Sequence, residues 1–421
     1  MPHISRRAAL KNGMLAVGSG LLAPGILEAI SAAPAQAATP HAPRVSGNGR
    51  ILIVIQLAGG NDGLYAVAPY TDPAYKTLRP TLALAKGDTL PLNAQLGLNK
   101  GLSALMPLWT AGQMAIVENV GYPQQNLSHF QSMYIWQTLD TTGAQGSART
   151  GWLGKYLQTI GDSGQFPFTG LDGGSQLPTA FMAPGVAVPT VTNPKAFGIA
   201  ADAARPGRAK ALLDFTQSFN GANTTQSAFG TLLSQTAQTA STGAAQLAKA
   251  AAAYKPAVTY PQTPLAADMQ LLAMAITQGL DMRVGYVSIG GFDTHAAERT
   301  ALDRLYPELS EAIAAFWQDM QKQGFADSIM LMTWSEFGRR AHENESQGTD
   351  HGAAAPHFVI GNGVAGGVHG DAPALSNLDA NGNLPFQNDF RSYYATILQK
   401  WLEVDPTTVL GGSYPALDFV K

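Results

Sequence analysis

The sequence predicts an α/β fold, a three-layer α/β/α sandwich around a mostly parallel central sheet with an inserted, partly helical cap. Three observations carry that prediction. Short continuous apolar runs rich in β-branched residues recur along the chain, and amphipathic stretches of helical length alternate with them. Polar clusters bearing Asp, Glu or His follow several of the apolar runs directly. Apolar runs of roughly 4–8 residues bounded by turn signals suit strands buried on both faces, as a parallel sheet between helical layers requires. Strand–helix alternation selects the layered class, whose sites form outside the carboxyl ends of the strands.

The elements follow in order. The first strand is read at ILIVIQL, residues 51–57, which stops abruptly at AGGNDG. Further strands are read at MAIVENV (114–120), RVGYVSIG (283–290), SIMLMTWS (328–335) and HFVIG (357–361). Helical patterns fall at 102–113, 128–139, 267–280, 301–324 and 389–402. Residues 161–200 are rich in Gly, Pro and Thr, and 205–256 in Ala, Gln, Thr and Ser. The region from about 160 to 262 is therefore read as an insertion on the main sheet, which otherwise occupies 50–421.

Composition narrows the function. The chain has 421 residues, 45% of them hydrophobic, and a net charge of -3. It offers no basic face for nucleic acid. It has no cysteine, which excludes disulfides, thiolate metal sites and cysteine nucleophiles. Any metal must be held by Asp, Glu, His, hydroxyl or carbonyl groups, so zinc with N/O ligands is the first expectation and magnesium, calcium or manganese the alternatives. At the N-terminus, adjacent Arg6 and Arg7 precede a weakly apolar Gly/Ala-rich run and a small-residue AQA site. Residues 1–37 read as a twin-arginine signal peptide and 38–49 as a linker. No other stretch supplies the roughly 20 apolar residues of a span. The expectation is a periplasmic or secreted protein with no stable membrane span, whose partners are the twin-arginine export machinery and a small-molecule or polymer ester substrate.

The chemistry-bearing residues line up with the strand ends. Asp62 lies in GGNDG, Asp293 and His295 in GGFDTH, Glu336 in SEFGRR, and Asp350 and His351 in TDHG. Six histidines lie beyond the linker: His129, His295, His342, His351, His357 and His369. Each residue has an ordinary role available. Asp62 suits a turn, Glu336 suits a pair with Arg339 or Arg340, and His342 suits a solvated loop. Their concentration at separate strand ends favours a divalent metal site. Ser128 stands at the start of a predicted helix, as an N-cap or as a hydroxyl activated by the helix dipole. Beside it, His129 is a candidate base, ligand or packing residue.

Taken together, LAGGNDGLYAVAPY, LRPTLAL, NLSHFQSM, GGFDTH, TWSEFGRR, GTDHG and DFRSYYATIL resemble the exported bacterial domain-of-unknown-function family related to the alkaline phosphatase and sulfatase superfamily. The resemblance spans roughly residues 50–404 and implies an alkaline-phosphatase-like sandwich. It implies that Asp62, Asp350 and His351 bind one metal and that Asp293 and His295 belong to a second set. His357 or His369 would complete that second set, His369 having the more familiar spacing after His351. Ser128 would be the nucleophile, and Arg339 or Arg340 would neutralise an ester oxygen. Two ions about 4 Å apart would clamp the ester oxygens. Two departures stand out. Asp293 and His295 are closer in sequence than the family pattern has them, and the formylglycine sulfatase motif is absent. The implied activity is a metal-dependent hydrolase of phosphate or related oxyanion esters. The alternatives are a non-catalytic metal-binding or surface-polysaccharide-associated protein of the same fold, and a single-metal enzyme of the phosphoglycerate mutase kind.

Overall fold

A computed structural model describes residues 49–142, 150–161, 167–194 and 243–421. The expected signal peptide, the linker up to residue 48 and the middle of the expected insertion lie outside the described residues.

The run at 51–57 becomes strand β1 (Ile51–Ala58), and its β-branched residues are buried on both faces. Because side chains alternate across a strand, Ile51, Ile53, Ile55 and Leu57 enter one core while Leu52 and Val54 enter another. Strands β2 (Val67–Ala68), β3 (Thr89–Pro91) and β4 (Gly97–Asn99) make a small separate antiparallel sheet. The main sheet adds β5 (Met114–Gly121), β6 (Gly170–Asp172), β7 (Val284–Gly290) and β8 (Ile329–Trp334). A hairpin follows, β9 (Gly338–Glu343) with β10 (Thr349–Gly352). The main sheet is then completed by β11 (Ala355–Gly361), β12 (Gly367–His369) and β13 (Asn388–Asp389).

The main sheet runs β12-β5-β11-β8-β1-β7-β6, with β13 also on β5. It is mostly parallel, as expected. Strand β1 pairs in parallel with β7 and β8, and β6 with β7. Strand β11 is the exception, antiparallel to both β5 and β8. The carboxyl ends of β1, β5, β7 and β8 therefore share one edge of the sheet, and β11 starts from that same edge. Hairpin β9–β10 bridges the end of β8 to the start of β11, so the polar stretch 335–354 never leaves the edge where the other strands end.

Helices cover both faces. Helices α4 (Pro264–Thr277) and α5 (Glu298–Lys322) pack on one core. Helices α2 (His129–Thr138), α3 (Trp152–Thr159) and α6 (Phe390–Thr396) pack on the other. A short helix, α1 (Gly63–Ala66), follows β1. Among the described residues, no helix is long and apolar enough to cross a membrane.

Candidate metal centre

The stretch TDHG is strand β10, and the register of the hairpin sets His351 opposite Arg339. The turn after β7 brings Asp293 beneath the His351 ring. Helix α2 delivers His129 from its first position. One ligand atom from each of His129, Asp293 and His351 lies within 4.8 Å of the others. His129 Nε2 is 3.4 Å from Asp293 Oδ2, and His351 Nε2 is 3.2 Å from Asp293 Oδ1. His295 joins them, its Nε2 lying 3.1 Å from Asp293 Oδ1 and 2.9 Å from His351 Nε2.

The other nitrogen of each ring explains this geometry. His129 Nδ1 is 2.9 Å from Glu336 Oε1, His295 Nδ1 is 3.2 Å from Asp350 Oδ1, and His351 Nδ1 is 2.7 Å from the Leu127 carbonyl. All three partners can accept from Nδ1, and a neutral ring so held turns its Nε2 lone pair toward Asp293. Ring nitrogens and a carboxylate brought this close call for positive charge among them, which a bound cation supplies. A histidine ligand normally has its second nitrogen fixed by a carboxylate or carbonyl in just this way. The donor set, imidazole and carboxylate without thiolate, suits zinc and related divalent ions.

Electrostatics keep the donors in binding form. Partial burial opposes ionisation of Asp293, but the hydrogen bond and the charge of Arg339 outweigh it and hold the carboxyl at about 2. Burial lowers the His351 imidazolium below its usual range, as does the neighbouring Arg339 charge, so the neutral ring is favoured. Burial would raise Asp350, but bonds from His295 and Asn344 and the Arg340 charge lower it overall. The Asp293 side chain is 48% exposed, so the centre opens to solvent.

The remaining expected site residues lie elsewhere or behind the centre. Asp62 does not join the group: it is fully buried, caps α1 and is paired to Arg79. Its carboxylate is enclosed by that guanidinium, which also donates to the Ala341 and Arg340 carbonyls. Glu336 stands behind His129, where its Oε1 also accepts from the Gly59 N–H at 2.9 Å. Arg339 is 1% exposed and faces inward. Its N–H groups go to the carbonyls of Gly59, Gly60, Phe292 and Thr349 and to Asp293 Oδ1. A guanidinium so buried and engaged orients Asp293 from behind. His357 is buried against Trp136 and Tyr393, and His369 bonds the Ala365 carbonyl and lies against Phe419. Neither turns toward the centre's carboxylate. Ser128 holds the N-cap position of α2 without a side-chain cap bond, is exposed, and directly precedes His129.

Several contributors carried no assigned role in the sequence. Phe337 lies under both His129 and His351, with ring centroids 4.9 and 4.3 Å away. Gly59 and Gly60, with φ of +123° and +84°, let the turn after β1 press against this layer; a side chain at Gly60 would meet the Phe337 ring. Asn344 Nδ2 holds the His295 carbonyl at 2.9 Å. Gly59, Gly60, Phe337 and Arg79 stand in the quoted motifs but without identified partners, and Asn344 stands in none.

An α/β sandwich with a histidine–carboxylate centre at the carboxyl edge of its sheet is thus the class of protein defined. Over residues 50–409 the sequence matches the family described as "Protein of unknown function (DUF1501)", and the chain belongs to that family. Among curated proteins, none matches it. The C-terminal periplasmic domain of EcEptC from Escherichia coli, solved in complex with Zn, is similar at 9% identity and a TM-score of 0.36, over 75% of this chain and 74% of that one. The PsFucS1 sulfatase from Pseudoalteromonas sp. is similar at 11% identity and a TM-score of 0.38, over 84% of this chain and 68% of that one. The lipoteichoic acid synthase LtaP from Listeria monocytogenes is similar at 9% identity and a TM-score of 0.28, over 74% of this chain and 65% of that one. Likenesses this slight carry no function across.

Proposed function

We propose that the protein is an exported, metal-dependent hydrolase of phosphate or related oxyanion esters. The single observation behind this reading is the set of three histidines whose Nδ1 atoms are all held by acceptors while their Nε2 atoms face Asp293. His129, Asp293 and His351 would hold one divalent cation, zinc for preference, with His295 as the fourth donor. When bound, such an ion polarises an ester oxygen and makes a nearby hydroxyl more acidic. The chain's own residues do the rest. Glu336, Asp350 and the Leu127 carbonyl fix the rings, and Arg339 fixes the Asp293 carboxylate. Ser128 is the proposed nucleophile: its exposed hydroxyl starts α2, where free N–H groups favour negative charge. Attack of Ser128 Oγ on the ester centre forms the O–P or O–S bond as the leaving oxygen departs with the hydroxyl proton. Water then cleaves the Ser128 ester to release the oxyanion and restore the hydroxyl. Export by the twin-arginine route is supported by Arg6, Arg7 and the AQA site.

One observation favours a second reading. Arg339, the expected partner of an anionic ester, is buried and bonded inward, which suits a non-catalytic metal-binding protein as well. The experiment separates the two. Protein purified without chelator should hold about one divalent ion per chain by elemental analysis. Asp293→Asn and His351→Ala should each lose the ion. Ser128→Ala should keep the ion and lose turnover of aryl phosphate or sulfate esters. Loaded protein inactive on every such ester would establish the binding reading, and protein that takes up no divalent ion would end both.

A further inference from the structure

Beneath the candidate centre lies a buried carboxyl group that the proposed chemistry does not use. Glu298 opens helix α5 and is 0% exposed. Its Oε2 accepts from two threonine hydroxyls, Thr294 Oγ1 at 3.0 Å and Thr349 Oγ1 in a short bond. Thr294 stands between Asp293 and His295, and Thr349 directly precedes Asp350. One oxygen therefore grips both segments that carry the centre. The backbone repeats the same connection: Ala297 and Glu298 donate to Ser346 and Gln347, and Thr349 donates to Thr294.

The other oxygen, Oε1, is buried and receives no donor. The Glu298 side chain lies against the Asp62 carboxylate. Two bare carboxylates cannot face each other away from water, whereas a single proton between them turns repulsion into a hydrogen bond. Arg79 decides which one keeps the charge, because its guanidinium is paired to Asp62. The helix dipole alone would favour an ionised Glu298 at this first position, but dipole effects of this kind are weaker than full burial beside an anion.

We propose that Glu298 is a positioning residue that acts as a neutral acid, donating from Oε1 to Asp62 and holding Thr294 and Thr349 with Oε2, so that the two ligand-bearing segments keep one spacing. The electrostatics agree. Burial, then the Asp62 charge, pushes the Glu298 carboxyl up to about 9, while Arg79 keeps Asp62 below its usual range against the effect of burial. The other charged group acting on Asp62 is Arg339, and the phenols of Tyr75 and Tyr306 also border the cluster. This role rests on the metal-centre reading, and the test distinguishes the two.

Glutamine has the hydrogen-bonding pattern of a protonated glutamate, one acceptor and one donor end. Glu298→Gln should bind Zn2+ within about threefold of wild type in calorimetric titration of metal-free protein. Glu298→Ala should lose about 10- to 100-fold, the usual effect of removing a group that holds a ligand in place. Circular dichroism shows whether the alanine variant is folded. Independently of any metal, the infrared difference between wild type and Glu298→Gln at neutral pH should show a carboxylic-acid carbonyl band from the wild type, over the background of other buried acids such as Glu118. Absence of that band, a glutamine variant as impaired as the alanine one, or an alanine variant with unchanged affinity would each overturn the proposal. If wild type itself binds no Zn2+, the metal reading fails. The band, together with a thermal midpoint retained by glutamine and lowered by alanine, then still decides the role of Glu298.

Discussion

His357 and His351 are six positions apart and alike in sequence, yet their surroundings give them opposite chemistry. His351 lies at the open edge with one nitrogen bound to a carbonyl. His357 is 1% exposed on β11, its ring centroid 5.3 Å from Trp136 and 5.7 Å from Tyr393, and neither nitrogen has a hydrogen-bond partner among the described residues. Burial pushes its imidazolium down to about 3, so the folded protein holds the ring neutral. An unfolded histidine titrates near 6.5, so below that pH the unfolded chain takes up a proton that the folded chain refuses. The stability of the neutral ring is complete above about 6.5 and is lost as pH falls toward 3, at up to about 1.4 kcal/mol per pH unit. Unfolding free energies of wild type and His357→Leu from urea titrations between pH 7 and 4 should diverge in slope by up to about that amount. Parallel slopes would show that His357 is charged or solvated in the fold.

At the scale of an element, hairpin β9–β10 does what a flexible loop could not. Its paired backbone fixes His351 against Arg339, and its turn is tied to the segment after β7 through Asn344 and the main-chain bonds of Ser346 and Gln347. Gly348 makes that contact possible, since a Cβ there would overlap the His295 carbonyl group and the Ala296 nitrogen. Gly348→Ala must therefore push the hairpin away from His295. Zinc affinity should fall about tenfold or more with the fold intact, a displacement effect like that of losing a supporting partner. Titration calorimetry alongside far-ultraviolet circular dichroism checks it, and unchanged affinity would mean that the hairpin does not set the His295–His351 spacing.

Across the whole molecule, the sheet order gathers four parallel carboxyl ends and the start of one antiparallel strand on a single edge. Two helical layers then bury both faces, leaving that edge as the place where polar side chains can meet solvent and ligand. The export reading belongs to this scale as well. Replacing Arg6 and Arg7 together with lysine should leave unprocessed precursor in the cytoplasm, because the receptor reads that pair. Cell fractionation with detection of the processed chain tests it, and normal export of the double variant would refute the signal.

The five main apolar runs were legible because a buried strand announces itself locally: ILIVIQL, MAIVENV, RVGYVSIG, SIMLMTWS and HFVIG become β1, β5, β7, β8 and β11 with shifts of one or two residues at their ends. The clustering of Asp293, His295, Asp350 and His351 at strand ends was legible for the same reason, since glycine turns and polar triplets are short-range signals. Which acid meets which base was not. Asp62 looked equivalent to Asp293 in its GGNDG turn, but Arg79 folds onto it and Glu298, far along the chain, closes over it. His129 reaches Asp293 and Glu336 only because β5 and β8 end on the same edge, with antiparallel β11 between them. Sequence patterning thus determined the elements and the composition of the site. The partners of each charge were decided by tertiary packing, because the Coulomb interactions and burial that select them act across distances in space that no local pattern records.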